Sequence, residues 1–290
     1  MLKKIFVGGM LSAIAGTFLF ASTPSVVFSK QKTIVTSYIT YIDYSKTYNH
    51  KKVLGTTLQT SVGANKLFAD LKYVYFNAKT EKPHKWDLSV AYKIKELPVL
   101  TEIGGKLTQY YINSRYNPGY TVFAGIFSKN FSPDVRAKIG TRVYFTNFKH
   151  LVDGQKAYQA DFIAIGQPTK TSIGKIFMTN TISYVKLEKN NFDGESHYIS
   201  DNLTAKIVQE NMLYFTGIHF GKTAYNINAG SKFFIDTSGT VNKWGVLFGA
   251  GYKINKKSSV MGKIQYSKID TFNADNATET KYSVAYNLTF

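Results

Sequence analysis

The chain has 290 residues and no cysteine, and its 36 Lys and Arg against 18 Asp and Glu give a formal net charge of +18 and a pI near 9.7. The missing cysteines exclude disulfides and thiolate metal sites, and the length fits one large domain or two small ones. Such a charge raises nucleic acid as a partner, but 21 Tyr and 21 Phe beside 2 Trp are an unusual makeup for a nucleic-acid-binding domain, and no nucleic acid is assigned.

The first element is "MLKKIFVGGMLSAIAGTFLFAS", two lysines and then an uncharged stretch ending in small residues. This is the layout of a secretory signal peptide. It predicts residues 1–21 as the signal, with cleavage after Ala21 or Ser22, and 22–32 as a short periplasmic segment; a single membrane anchor is the alternative. No later stretch reaches about 18 consecutive apolar residues, so a membrane would have to be crossed by strands.

From residue 33 onward the hydrophobicity alternates with period two between short clusters of Asn, Asp, Gly, Lys and Pro. In "WDLSVAYKIK", Trp86, Leu88, Val90, Tyr92 and Ile94 oppose Asp87, Ser89, Ala91, Lys93 and Lys95. "DVRAKIGTRVYFT" repeats the pattern, with Arg136, Lys138, Gly140 and Arg142 on its polar side. In "KWGVLFGAGYKI", Trp244, Val246, Phe248 and Tyr252 oppose a glycine-rich face, and in "TKYSVAYNLTF" Tyr282, Val284, Tyr286, Leu288 and Phe290 oppose Ser283, Ala285, Asn287 and Thr289. Segments of about ten such residues suit a tilted membrane-crossing strand. A soluble sandwich also alternates, but here aromatics bracket the apolar face: Trp86 with Tyr92, Trp244 with Tyr252, Tyr282 with Phe290. Rings at both ends of an apolar band match the interfacial girdles of a membrane barrel.

Strands are predicted over 33–44, 53–64, 67–77, 86–95, 99–112, 119–128, 135–147, 155–166, 172–187, 204–219, 225–236, 244–254, 258–270 and 280–290, about fourteen, with twelve or sixteen left open by residues 188–224. The fold class is therefore all-β, a transmembrane antiparallel up-and-down β-barrel over 33–290. The odd turns, such as "RYNPG", "EKNNFDGESHY", "TSGTVN" and "FNADNATE", are the longer ones and are placed outside; "GANK", "QPTK" and "NKKSS" are placed in the periplasm.

The signal peptide, the strand pattern and the last strand "YSVAYNLTF" with its terminal Phe290 together resemble Gram-negative outer-membrane β-barrel proteins, and the architecture resembles fourteen-stranded porins. The resemblance implies outer-membrane lipid and lipopolysaccharide as surroundings, and the barrel-assembly machinery as a partner reading the C-terminal strand.

With apolar faces toward lipid, the opposite faces line a lumen. Lys72, Lys93, Lys106, Arg136, Lys138, Arg142, Lys175 and Lys232 are assigned to it, with Lys95, Lys206, Lys253 and Lys263, against Asp70, Asp87, Glu102 and Asp161. This sign predicts small anionic solutes, although lysines at turns would merely face water or lipopolysaccharide phosphates. Fourteen strands imply an opening on the order of 10 Å. The five histidines, His50, His84, His150, His197 and His219, show no ligand spacing, "GIHFGKT" is one residue short of a phosphate loop, and no cofactor or catalytic residue is assigned. The expected function is a porin, an outer-membrane channel for small hydrophilic solutes, preferring anions. The alternatives are a barrel acting through adhesive loops and a secreted basic β protein binding polyanions.

Overall fold

The structure is a computed structural model, described for residues 32–45, 52–63, 66–77, 84–112, 115–148, 155–188, 195–226, 236–271 and 274–290. The strands in chain order are β1 (Lys32–Tyr44), β2 (Lys52–Gly63), β3 (Leu67–Asn77), β4 (His84–Ile94), β5 (Leu100–Ile112), β6 (Arg115–Phe127), β7 (Ala137–Phe148), β8 (Gln155–Gly166), β9 (Thr169–Thr171), β10 (Gly174–Leu187), β11 (His197–Val208), β12 (Met212–Asn226), β13 (Asp236–Lys253), β14 (Ser258–Thr271) and β15 (Ala274–Thr289). Each long strand pairs antiparallel with its chain neighbours. The three residues of β9 only fold back on the start of β10, so fourteen strands form the wall.

The wall is closed. β15 returns to β1 from Ile34 opposite Thr289 to Tyr44 opposite Glu279, and Phe290 and Thr33 exchange backbone hydrogen bonds of 2.9 and 3.3 Å beside that seam. Closure leaves no strand edge unpaired, the condition for backbone that must do without water.

Side-chain polarity is inverted relative to a water-soluble protein. The outward positions carry exposed Leu107, Val122, Phe248 and Val284, whereas Asp87, Glu102, Lys106 and Arg142 are buried inside. An apolar surface that encircles the molecule is stable against hydrocarbon and not against water. Inverted polarity and closure together define a transmembrane β-barrel.

The predicted count of fourteen holds, but the assignment of 204–219 behind it does not. Residues 204–219 are not one strand: β11 and β12 meet there at a tight turn, Gln209 to Asn211, closed by the Gln209 N–H donating to the Met212 carbonyl at 2.9 Å. Of the predicted strand 225–236, residues 225–226 end β12, Asp236 begins β13, and 227–235 lie outside the described residues. "RYNPG" and "TSGTVN", read as loops, lie largely within β6 and β13. The long excursions at the barrel end remote from the termini are therefore made by extended strand pairs as much as by loops. The predicted signal peptide and 22–31 lie outside the described residues.

Candidate functional site

The interior is built from rows of inward side chains that run across the sheet in register. Lys93 lies opposite Glu102, Glu102 opposite Gly125, Gly125 opposite Arg142, Arg142 opposite Asp161 and Asp161 opposite Ser183. The Arg142 Nε donates to the Glu102 Oε1 at 2.6 Å, a second guanidinium nitrogen contacts the same carboxylate, and Nη1 donates to the Tyr144 hydroxyl at 3.0 Å. The rings of Phe127, Phe123 and Tyr144 lie 5.4, 5.8 and 5.9 Å from the guanidinium carbon. This cation is held by charge on one side and by ring faces on others.

A second row runs from Gln59 through Lys72 and Asp87 to Thr108. Asp87 is fully buried; its carboxylate lies 3.1 Å from the Lys106 Nζ and 3.3 Å from the Lys85 Nζ, and accepts from the Thr108 hydroxyl at 2.8 Å. Asp70 accepts from the Gln59 amide at 2.7 Å and from Ser61 at 2.5 Å. On the wall across the β15–β1 seam, inward Lys281 pairs with Glu279 at 2.7 Å, with Lys263 on the neighbouring strand.

Of the predicted lining residues, Lys72, Lys93, Lys106, Arg142, Asp70, Asp87 and Glu102 are on the inner face and buried. Arg136 is not in a strand. It sits in the exposed turn between β6 and β7 with φ at 47°, its carbonyl accepting from Gln167 N–H at 2.6 Å, so the strand predicted from 135 begins two residues later. Lys138 shares the inward side of Arg142 but lies near the strand's end, its Nζ 5.0 Å from the Phe131 ring. Lys175 is exposed at the start of β10, 5.3 Å from the Phe177 ring, which Lys206 approaches from β11 at 4.9 Å. Lys232 lies outside the described residues.

Sequence reading missed Lys85 and Lys281. Lys85 continues the inward alternation of Asp87 and Ser89, and was lost because the strand was started at Trp86; Lys281 continues that of Ser283 and Ala285. The aromatics fall in two outward sets. Trp86, Trp244 and Tyr282 lie toward the end remote from the termini, against Tyr73, Tyr266 and Tyr41 at 4.4, 5.6 and 6.2 Å between ring centres. Tyr92, Tyr252 and Phe290 are outward at the end that carries the termini.

The inner face is not evenly lined: side chains are packed on the β5–β8 wall, whereas inward Tyr38, Thr40, Lys263 and Gln265 across the β15–β1 seam are half-buried. Arg142 and Asp161 are each 1% exposed and Glu102 2%. A buried apolar cluster, including Phe123, Tyr144, Val185, Leu187, Tyr198 and Val241, follows the inner wall from β6 to β13. Large inward side chains on this wall take up space that strand number leaves free.

Neither a protein-family model nor a curated protein matches the sequence. Solved structures match the fold. The outer membrane protein Omp33 of Acinetobacter baumannii superposes with a TM-score of 0.51 at 11% identity over 90% of this chain and 99% of that one. The Pseudomonas putida toluene transporter TodX gives 0.53 at 6% over 97% and 93%, and a Pseudomonas aeruginosa FadL homologue 0.52 at 12% over 96% and 96%. The chain thus has the fold of Gram-negative outer-membrane β-barrels, the class to which its last strand was likened.

Proposed function

We propose that the chain is a bacterial outer-membrane channel that admits small hydrophilic solutes and prefers anions. The observation that carries the reading is the inverted wall: an apolar outer band around an interior of charged side chains, joined without an edge. Inward Lys72, Lys85, Lys93, Lys106, Arg142, Lys206, Lys263 and Lys281 outnumber inward Asp70, Asp87, Glu102, Asp161 and Glu279. An excess of fixed positive charge in a confined, weakly screened space favours anions over cations. The termini then lie at the periplasmic end, and the long strand pairs project outside the cell. One fold neighbour, at a TM-score of 0.53, is a toluene transporter, which favours passage over catalysis, and no group of His, Asp and Glu suited to a metal occurs among the described residues.

A second reading is supported by the apolar cluster on the inner wall. Rings facing the lumen are what an uncharged or aromatic solute would contact, and one fold neighbour is a toluene transporter. One experiment separates the two: single-channel recording of the purified protein in a planar bilayer with a salt gradient. Ion conductance with a reversal potential of the anion-selective sign supports the first reading. A barrel that never conducts but speeds uptake of an aromatic solute into vesicles supports the second and overturns the first.

A further inference from the structure

The rows of paired residues climb toward the remote end as the chain proceeds. One that leaves Gly63, at the end of β2 beside the termini, passes Ala91, Phe123 and Val185 and arrives at Tyr198, one residue from the remote end of β11. At a strand spacing near 4.8 Å and a tilt near 40°, each step round the wall raises a row by about 3 Å, and each residue along a strand counts about 2.6 Å of depth. The row from Lys263 on β14 runs through Ser283, Thr40 and Gly55 to Phe76 on β3, about 12 Å higher, and Lys72 stands four residues back from Phe76, about 10 Å lower again. Lys263 and Lys72 therefore face the lumen at nearly one depth, and Lys281 on β15 stands about 8 Å nearer the remote end. The charged groups within electrostatic reach of Lys263 are Lys281, Lys72 and Glu279, and Glu279 is engaged by Lys281 at 2.7 Å.

Between these lysines the wall is lined largely by small residues, Thr40, Gly55 and Thr57, and the larger Tyr38 turns its hydroxyl to Gln59 at 3.3 Å. Tyr38, Thr40, Thr57, Lys263, Gln265 and Lys281 are half-buried. Half-way round the wall, Thr181, Ser183 and Val185 on β10 are only 1 or 2% exposed. Space inside the barrel is thus on the seam side. We propose that solute crosses the middle of the barrel along the wall from β14 to β3, and that Lys263, Lys281 and Lys72 form there a site for a small divalent oxyanion. Lys72 also borders Asp70 and Asp87, and Asp87 carries Lys85 and Lys106 with it, so five lysines face Glu279, Asp70 and Asp87 and an excess of two positive charges remains. One doubly charged anion offsets that excess where one chloride offsets half of it, and in a confined space of lowered dielectric the difference is felt strongly. Ammonium groups donate several hydrogen bonds each, and the Thr40 and Thr57 hydroxyls stand beside them, a set of donors suited to the oxygens of such an anion.

The site rests on the reading of the barrel as an anion-preferring channel, and one set of recordings keeps the two apart. The full chain is reconstituted in a planar bilayer, chloride conductance is measured while sulfate is added to one side, and heat-shifted mobility checks the fold of each variant. Sulfate, held longer than chloride, should block the wild type. Lys263→Gln should weaken that block about tenfold, the loss of one charged hydrogen bond, and Lys263→Arg should keep it. Because the chain lacks cysteine, Thr57→Cys should lose conductance on reaction with a negatively charged thiol reagent, and Ser183→Cys on the packed wall should not. A conducting, anion-preferring wild type that sulfate does not block, an unchanged block in Lys263→Gln, or equal modification at positions 57 and 183 would overturn the site and its path and leave the channel standing. A wild type that never conducts, or that prefers cations, would overturn the channel reading and the site with it.

Discussion

Glu102 and Arg142 are on strands that never touch, yet their side chains meet, because the residue between them on β6 is Gly125. Gly125 lies in register with both, and a Cβ there would stand 3.2 Å from the Glu102 Cγ and 3.3 Å from its carboxylate oxygen. The absent side chain is the gap through which the Arg142 Nε reaches Glu102 at 2.6 Å.

Removing one partner of this pair should cost stability before it changes transport. On sequence grounds an inward arginine stands in water, and its replacement would alter only the local field; buried and bridging, it does more. Arg142→Gln leaves buried Glu102 with Lys93 as its remaining cation and without the guanidinium hydrogen bonds, and is expected to lower stability by about 3 kcal/mol, while Glu102→Gln with Arg142→Gln recovers most of that loss. The denaturant midpoint of the heat-shifted form measures both.

The neighbouring Gly140 is constrained by a ring. Its added Cβ would lie 2.0 Å from Phe127 Cδ1, and Phe127 is one of the rings around Arg142. Gly140→Ala should displace that ring and cost about 1–3 kcal/mol by overpacking. Phe127→Leu combined with Gly140→Ala should cost less than the sum of the two single changes, which a double-mutant cycle in the same denaturation assay would show.

Strand direction and face were legible because alternation is a local property: each residue of "WDLSVAYKIK" declares its side through its neighbours. Turn position was less so. The "QEN" that separates β11 from β12 has no Gly or Pro to mark it, and the flanking residues alternate on either side, so 204–219 read as one strand. Arg136 was misplaced for a related reason, since "DVRAK" alternates as a strand would although its backbone turns at a positive φ. The pairing of Glu102 with Arg142 could not be read at all. It depends on register across three strands, which sequence periodicity does not contain. Nor does periodicity give inward side-chain volume, so the packing of Phe123, Tyr144 and Tyr198 on one wall could not be read from it.

The seam between the last strand and the first should be sensitive at Phe290. Its ring is outward, and its backbone bonds to Thr33 beside the join. Phe290→Asp should reduce insertion, since a charge on the lipid face costs roughly 0–4 kcal/mol depending on depth; Phe290→Tyr should not. The fraction of protein in heat-shifted form after expression measures the effect.

Orientation can be tested at two turns of opposite ends. An epitope placed within 189–194, between β10 and β11, should be labelled on intact cells, and one placed within 254–257, between β13 and β14, should be labelled only after the outer membrane is opened. Equal labelling of both on intact cells would reverse or abolish the assigned direction.

Selectivity should respond with opposite sign to the two members of one ion pair. Asp87 is fully buried between Lys85 and Lys106. Asp87→Asn removes the anion and leaves both cations, so it should raise the permeability of chloride over potassium. Lys106→Gln removes a cation and should lower it. Arg136→Gln, in the exposed turn, should leave the ratio close to wild type, because a charge in open water is screened within about 8 to 10 Å. Reversal potentials of the three variants under one salt gradient give the comparison directly. Should Arg136→Gln move the potential more than Asp87→Asn and Lys106→Gln do, the selective charges would lie at the periplasmic mouth and not on the inner wall.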